Sequence, residues 1–79
     1  MKPRKYLVIL EWAGSNYSSY APDLPGCVST GKTQEECLRN MGEAIALHLE
    51  GMEEDGDPIP EPTSIGGYVE VGGRVEAVA

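Results

Sequence analysis

The sequence predicts a small α+β domain: a three-stranded antiparallel sheet, one long helix packed on one face of it, and a fourth strand near the C-terminus. Two observations predict this class. Short runs of β-branched and aromatic residues alternate with turn residues in the first 30 positions, and one long amphipathic run of helical period follows. A chain of 79 residues is expected to form a single domain over residues 1–79.

The first strand is predicted from Lys5 to Trp12, a run rich in β-branched and aromatic residues. Side chains of a strand alternate between two faces, and here both faces are apolar: Tyr6, Val8, Leu10 and Trp12 on one, Leu7 and Ile9 on the other. This pattern is typical of a central strand that is covered on both sides. One helix covers one side only, so the other side would need a second subunit or another element.

A turn and a rigid loop separate the next two strands. The second strand is predicted from Tyr17 to Ala21, antiparallel to the first, and a brief third strand from Cys27 to Thr30. In the loop from Pro22 to Gly26 the prolines fix φ, and the glycine permits a left-handed turn. Asp23 is interpreted as a turn residue that bonds its own backbone; the alternative is a metal ligand or an acid.

The helix is predicted to begin at Thr33, whose hydroxyl can cap a free backbone N–H while Glu36 reaches back in a capping box. Gly56 and the following prolines end it. Its last turn contains acids, which the negative end of the helix dipole disfavours. The apolar arc of this helix comprises Cys37, Leu38, Met41, Ala44, Ile45, Leu49 and Met52.

Beyond a proline-rich linker, the run from Tyr68 to Val71 is predicted to form the fourth strand. Gly72 and Gly73 fit a tight turn into a fifth strand from Arg74 to Val78. The alternative is an extended or disordered tail.

The charge balance excludes one class of partner and favours another. A net charge of −7 argues against nucleic-acid binding by this chain alone, since phosphates attract lysine and arginine. Between positions 50 and 61 there are six acids and no base. This segment either contacts a basic partner or is a solvated acidic turn that aids solubility. The candidate partner-binding residues are Glu50, Glu53, Glu54, Asp55 and Asp57.

Cysteine and histidine are too scarce for catalysis or metal binding to be favoured. Two cysteines and one histidine cannot supply a four-ligand zinc site, and Cys27 and Cys37 are predicted to be small buried residues. His48 lies in the apolar arc and is either a packed histidine or, with Asp23, part of a small ligand-binding or hydrolytic site. We expect no cofactor, no signal peptide, no membrane span and a cytoplasmic location.

A longer pattern resembles the HicB-like antitoxin family. The matching residues run in order over some forty positions: Pro22-Asp23-Leu24-Pro25-Gly26-Cys27, Gly31, Thr33, Glu35-Glu36, Asn40, Glu43-Ala44-Ile45, His48-Leu49-Glu50-Gly51 and Pro58-Ile59-Pro60. The resemblance implies a partial ribonuclease-H-like fold. It also implies a non-catalytic antitoxin that binds and silences a small basic RNA-cleaving toxin of the HicA type, and that forms dimers or tetramers.

The resemblance leaves two points open. Full-length members commonly add a C-terminal DNA-binding module, whereas this sequence runs to Ala79 with no helix-turn-helix pattern and no basic tail. Direct DNA binding is therefore not expected without an added module. The alternative to an antitoxin is a solitary structural homo-oligomer without a toxin. Nuclease activity needs a carboxylate cluster that holds two metals. The predicted first strand offers only Glu11, and the fourth offers Glu70.

Overall fold

The computed structural model describes residues 3–73. They form three strands and one helix in the order β1 (Ile9–Trp12), β2 (Tyr17–Tyr20), β3 (Val28–Gly31) and α1 (Gln34–Glu54). The strands pair antiparallel in the spatial order β1-β2-β3. The predicted α+β class with one helix on a three-stranded sheet is confirmed.

Strand β1 lies at the edge of the sheet, so the prediction of a central strand was wrong. Within residues 3–73 its one ladder partner is β2, with Ile9 opposite Tyr20. It also begins at Ile9 instead of Lys5, because β2 ends at Tyr20 and the chain turns there. The carbonyl of Ala21 accepts from Leu24 N–H at 3.0 Å, and Pro22 has no N–H to continue a ladder.

The loop between β2 and β3 is tightly folded. Gly26 has a φ of +85°, as the sequence predicted, and Cys27 N–H donates to the Leu24 carbonyl at 3.0 Å. These bonds turn the Leu24 side chain into the core, where it is 0% exposed. A loop residue is therefore one of the three largest fully buried side chains of the described chain.

Both ends of α1 follow the predicted capping chemistry, with one difference. Thr33 is the N-cap, and its hydroxyl accepts from Glu36 N–H at 3.0 Å. The Glu36 carboxylate reaches one residue further back than a capping box requires and accepts from Lys32 N–H at 3.0 Å. At the other end Gly56 has a φ of +73°.

The bonds beyond the helix end complete a Schellman motif. Gly56 N–H donates to the Glu53 carbonyl at 3.1 Å, and Asp57 N–H donates to the Met52 carbonyl at 2.9 Å. The helix therefore stops where the sequence predicted, and the carbonyls of Met52 and Glu53 are paired without a basic side chain.

The helix packs on β3 and β2. Along the predicted apolar arc, Cys37 and Met41 are fully buried, and Ala44, Ile45 and Leu49 pack against the core partly buried. Leu38 departs from the prediction with 47% exposure. The remaining core residues are Ala21, Leu24 and Cys27, with Tyr6 and Val8 packed against them. Both cysteines are free and buried, as predicted.

The predicted fourth strand is not formed within residues 3–73. After α1 the chain returns past the start of β1, where the Tyr6 hydroxyl donates to the Pro60 carbonyl at 2.5 Å and Arg4 lies 3.7 Å from Glu61. Tyr68–Val71 then has no ladder partner. A strand needs a neighbour for its backbone groups, and the described chain supplies none there. The predicted fifth strand, residues 74–78, lies outside the described residues.

Candidate partner-binding surface

The five acids predicted to bind a partner all lie on the solvent side of the helix end and the turn that follows. Glu50, Glu53 and Glu54 belong to the last turns of α1, Asp55 is its C-cap, and Asp57 lies in the Schellman turn. Each of the five is exposed. We call these five residues the acidic helix end.

The electrostatics of this end are locally unfavourable. The last turn of α1 holds no basic residue, so the carboxylates add to the negative end of the helix dipole instead of offsetting it. The ion pair found among the described residues, Arg4 with Glu61, lies outside the acidic helix end. The acidic helix end therefore projects an uncompensated negative potential into solvent.

A shallow apolar groove adjoins the acids, and sequence reasoning missed it. It runs along α1 and is lined by Gly42, Ile45, Ala46, Leu49, Glu50 and Glu53. The glycine and the alanine are four residues apart and so share one helix face, where their small size leaves the depression. That spacing was the available sequence signal. Apolar surface beside carboxylates is the composition expected where a partner contacts both.

Asp23 has a different role from the one predicted. Its carboxylate does not close its own turn. It accepts four hydrogen bonds from residues forty positions away: Thr63 N–H at 3.0 Å, Thr63 hydroxyl at 3.1 Å, Ser64 N–H at 3.0 Å and Ser64 hydroxyl at 2.9 Å. We call this set the Asp23 clamp. It fastens the segment after the proline-rich linker to the β2–β3 loop.

The Asp23 clamp stabilises the charged carboxylate. The hydrogen bond from the Ser64 backbone N–H lowers the pKa of Asp23; desolvation opposes it, and the Ser64 and Thr63 hydroxyls and the Thr63 N–H add to the lowering. Because the folded pKa lies below the unfolded one, the clamp's contribution is fully present above the ordinary value of 3.8. It is lost as the pH falls through the lowered value.

We expect Asp23→Asn to release the segment at neutral pH, because an amide offers one acceptor oxygen and an NH2 that repels the donors. The measurement is the NMR shift and the hydrogen exchange of the Thr63 and Ser64 amides. In the wild type the Ser64 amide should titrate below pH 3.8. Asp57→Asn, in an exposed turn, is the matched control. Equal protection of Thr63 and Ser64 in both variants would contradict the clamp.

Asp23 and His48 do not meet in a common site. The carboxylate of Asp23 is engaged by Thr63 and Ser64, and neither Asp23 nor His48 lines the three grooves found within residues 3–73. His48 is partly buried on α1. Within the described residues, no three histidine, cysteine, aspartate or glutamate side chains are placed to hold a metal ion.

Other residues of the motif hold the helix on the sheet. The Asn40 side-chain amide donates to the Thr30 carbonyl at 2.9 Å, which ties α1 to the exposed end of β3. Gly31 faces the first turn of α1, where an added Cβ would lie 2.5 Å from Cys37 N. The motif therefore specifies the packing of helix on sheet. No helix of residues 3–73 has both the length and the apolar composition needed to cross a bilayer.

The fold and its surface thus define a class: a small α+β domain in which a three-stranded meander is backed by one helix with an acidic end. Residues 6–77 match the family described as HicB_like antitoxin of bacterial toxin-antitoxin system. The chain belongs to the HicB-like antitoxin family, as its motif predicted.

The chain is also similar to proteins of a phage and a bacterium. An uncharacterized 14.9 kDa protein of Haemophilus phage HP1 is 39% identical over 64 residues, which are 81% of this chain but 48% of the phage protein. A UPF0150 protein of Helicobacter pylori is 47% identical over 47 residues, 60% of this chain and 65% of that protein. The chain thus spans about half to two thirds of these two relatives.

A solved structure supports the fold. A chain of a HicA3 and HicB3 toxin-antitoxin complex superposes with a TM-score of 0.66 and is 30% identical, covering 76% of this chain and 70% of that one. The α+β fold described above is therefore the fold of a protein seen in a toxin–antitoxin assembly.

Proposed function

We propose that this protein is a non-catalytic antitoxin of the cytoplasm that binds a small basic RNA-cleaving toxin of the HicA type and blocks its active surface. The observation that supports this most directly is the acidic helix end, five exposed acids with no base in the last helical turn. Membership of the antitoxin family and the likeness to a chain of a HicA3–HicB3 complex support the kind of partner.

The proposed mechanism is occlusion by charge and shape. A protein that cleaves RNA needs basic side chains to hold phosphates, and the acidic helix end offers carboxylates that compete for those side chains. The groove of Ile45, Ala46 and Leu49 beside it supplies apolar contact. Opposite charges would speed the encounter, and apolar burial would slow dissociation.

Self-association is part of the proposal, as a dimer or tetramer. On the sheet face opposite α1, Ile9, Tyr20 and Val28 lie side by side across the three strands. Tyr20 is 40% and Val28 64% exposed. An uncovered apolar row of this kind marks an interaction surface. We propose no direct DNA binding without an added module, since the net charge is −7.

Charge reversal tests the contact region. We expect Glu53→Lys/Glu54→Lys/Asp57→Lys to slow association with the basic toxin by about tenfold to a thousandfold at low salt, because electrostatic steering accounts for that range. Surface plasmon resonance at several salt concentrations measures it, and the deficit should shrink above 0.15 M salt, where charges are screened beyond about 8 Å.

The matched control places the same charge change elsewhere on the molecule. Glu11→Lys/Glu35→Lys/Glu43→Lys raises the net charge equally, and all three residues are exposed. If net charge alone governs binding, both triple variants lose the same amount of affinity for the toxin. Unchanged affinity of the Glu53/Glu54/Asp57 variant at low salt would refute the assignment of the acidic helix end.

A further inference from the structure

A second groove lies beside the free edge of the sheet and is distinct from the acidic helix end. It has a volume of about 580 Å³. One wall is β1 and the residues leading into it, Leu7 to Leu10, and the other wall is the returning chain, residues 65–68. Tyr17 of β2 and Gln34 of α1 complete the lining. Gly66 approaches Leu7 so closely that a Cβ would lie 3.3 Å from the Leu7 Cδ1. We call this feature the edge groove.

The edge groove opens on backbone that lacks a partner. Strand β1 pairs with β2 on one side only, and within residues 3–73 no strand covers its outer side. Proteins usually protect such an edge with lysine, proline or a bulge. Ile9–Trp12 contains no lysine and no proline, and its one charged residue is Glu11. The edge is therefore open to the addition of another strand.

The returning chain supplies a segment suited to that addition. Tyr68–Val71 is composed of β-branched and aromatic residues around a single acid, Glu70. Its apolar side chains are not packed on their own molecule: Tyr68 is 105%, Val69 87% and Val71 66% exposed. The preceding Ile65 is 93% exposed. A contiguous apolar strip of this kind marks a contact surface.

We propose that Tyr68–Val71 of one copy adds as a fourth strand to the β1 edge of a second copy, and that the second copy returns the same segment. Each molecule offers its β1 edge and one segment, so the exchange closes as a twofold dimer in which both β1 edges are paired. The charges of the two surfaces are opposite in sign: the segment bears Glu70, and the chain entering β1 bears Arg4 and Lys5. The inference rests on the self-association proposed above and not on the toxin.

The position of the segment favours pairing with the β1 edge of a second copy over pairing with β1 of the same molecule. The same molecule's residues 65–68 already form the far wall of the groove, with the cavity between them and β1. Tyr68 is exposed in that position and no ladder forms. The cavity thus separates the segment from its own β1 and leaves that edge accessible to a strand from outside.

The test is the molar mass of the full chain in solution, with and without Val69→Pro. Proline removes the N–H that a ladder needs and is poorly tolerated in a paired strand. We expect the wild type to be a dimer or a larger even assembly and Val69→Pro to have half of the wild-type mass. The matched control is Glu61→Pro, in the same returning chain but outside the segment, which should keep the wild-type mass. Circular dichroism should show α1 in all three proteins.

A second measurement identifies which copy provides the added strand. In a mixed sample of isotope-labelled and unlabelled copies, filtered NMR should show contacts between Tyr68–Val71 of one copy and Leu7–Leu10 of another. A monomeric wild type, a dimer that Val69→Pro does not disturb, or contacts confined to one copy would overturn the inference. So would a Val69→Pro protein of unchanged mass that no longer binds the toxin, since the toxin would then be the occupant. A strand-exchanged dimer with no affinity for any toxin would instead refute the proposed function alone.

Discussion

Gly31→Ala is expected to lower the free energy of unfolding by about 3 kcal/mol, the upper part of the range for overpacking a core. The new Cβ would lie 2.5 Å from Cys37 N and 2.7 Å from Cys37 Cα. Both atoms are backbone in the first turn of α1, so no side-chain rotation relieves the clash. The helix would have to move away from β3. Urea denaturation followed by circular dichroism measures the change.

Gly42→Ala is the matched control for that substitution. Gly42 lies inside α1, and a Cβ there meets nothing within 4 Å. Alanine is favoured over glycine in a helix interior by about 1 kcal/mol. The same chemical change is therefore expected to stabilise the protein at one position and destabilise it at the other. Equal effects at Gly31 and Gly42 would contradict the close approach of helix to sheet.

Leu24→Ala is expected to cost about 2–5 kcal/mol, because it removes a fully buried side chain and leaves a cavity. A domain of this size is stabilised by only about 4–12 kcal/mol, so the substitution should remove from about a sixth to all of that stability. Thermal and urea denaturation of the purified protein provide the measurement.

Leu47→Ala tests whether burial of the side chain causes the loss of stability expected for Leu24→Ala. Leu47 is 69% exposed on α1. Surface substitutions of this kind usually change stability by less than about 0.5 kcal/mol. A cost at Leu47 similar to that at Leu24 would mean that the Leu24 loop does not anchor the core.

The parts of the fold that the sequence predicted correctly are those specified by neighbouring residues. Thr33 caps a helix whose first turn follows at once, and Gly56 ends it within one turn. Gly26 adopts its left-handed conformation for reasons internal to its own loop. Periodicity placed Cys37 and Met41 in the core. Each of these rests on interactions within a few positions of the chain.

The parts that the sequence did not predict depend on distant partners. Aspartate is a residue type common in turns, which is how Asp23 was interpreted. Its role in the Asp23 clamp depends on the return of Thr63 and Ser64, forty positions away. Gly31 gives no sign in the sequence that it faces the Cys37 backbone. Strand β1 is apolar on both faces, yet its position at the edge depends on which strands form elsewhere.

The candidate site also has parts that the sequence predicts and parts that only the folded structure reveals. The acids of the acidic helix end could be named from composition and helix position alone, and the structure exposes all five. The adjoining groove required the geometry of α1, because Gly42 and Ala46 leave a depression only once their neighbours are packed. Whether this surface binds a toxin is a property of two molecules, and a single sequence specifies one of them.

The most direct test of the proposed function is growth of cells that express the small basic protein encoded beside this one. That protein should arrest growth alone, and co-expression of this chain should restore it. The Glu53→Lys/Glu54→Lys/Asp57→Lys variant should fail to restore growth at an equal level of folded protein, while the Glu11→Lys/Glu35→Lys/Glu43→Lys control should succeed. Growth arrest that persists with the wild-type chain, or rescue by both triple variants alike, would contradict an antitoxin that acts through its acidic helix end.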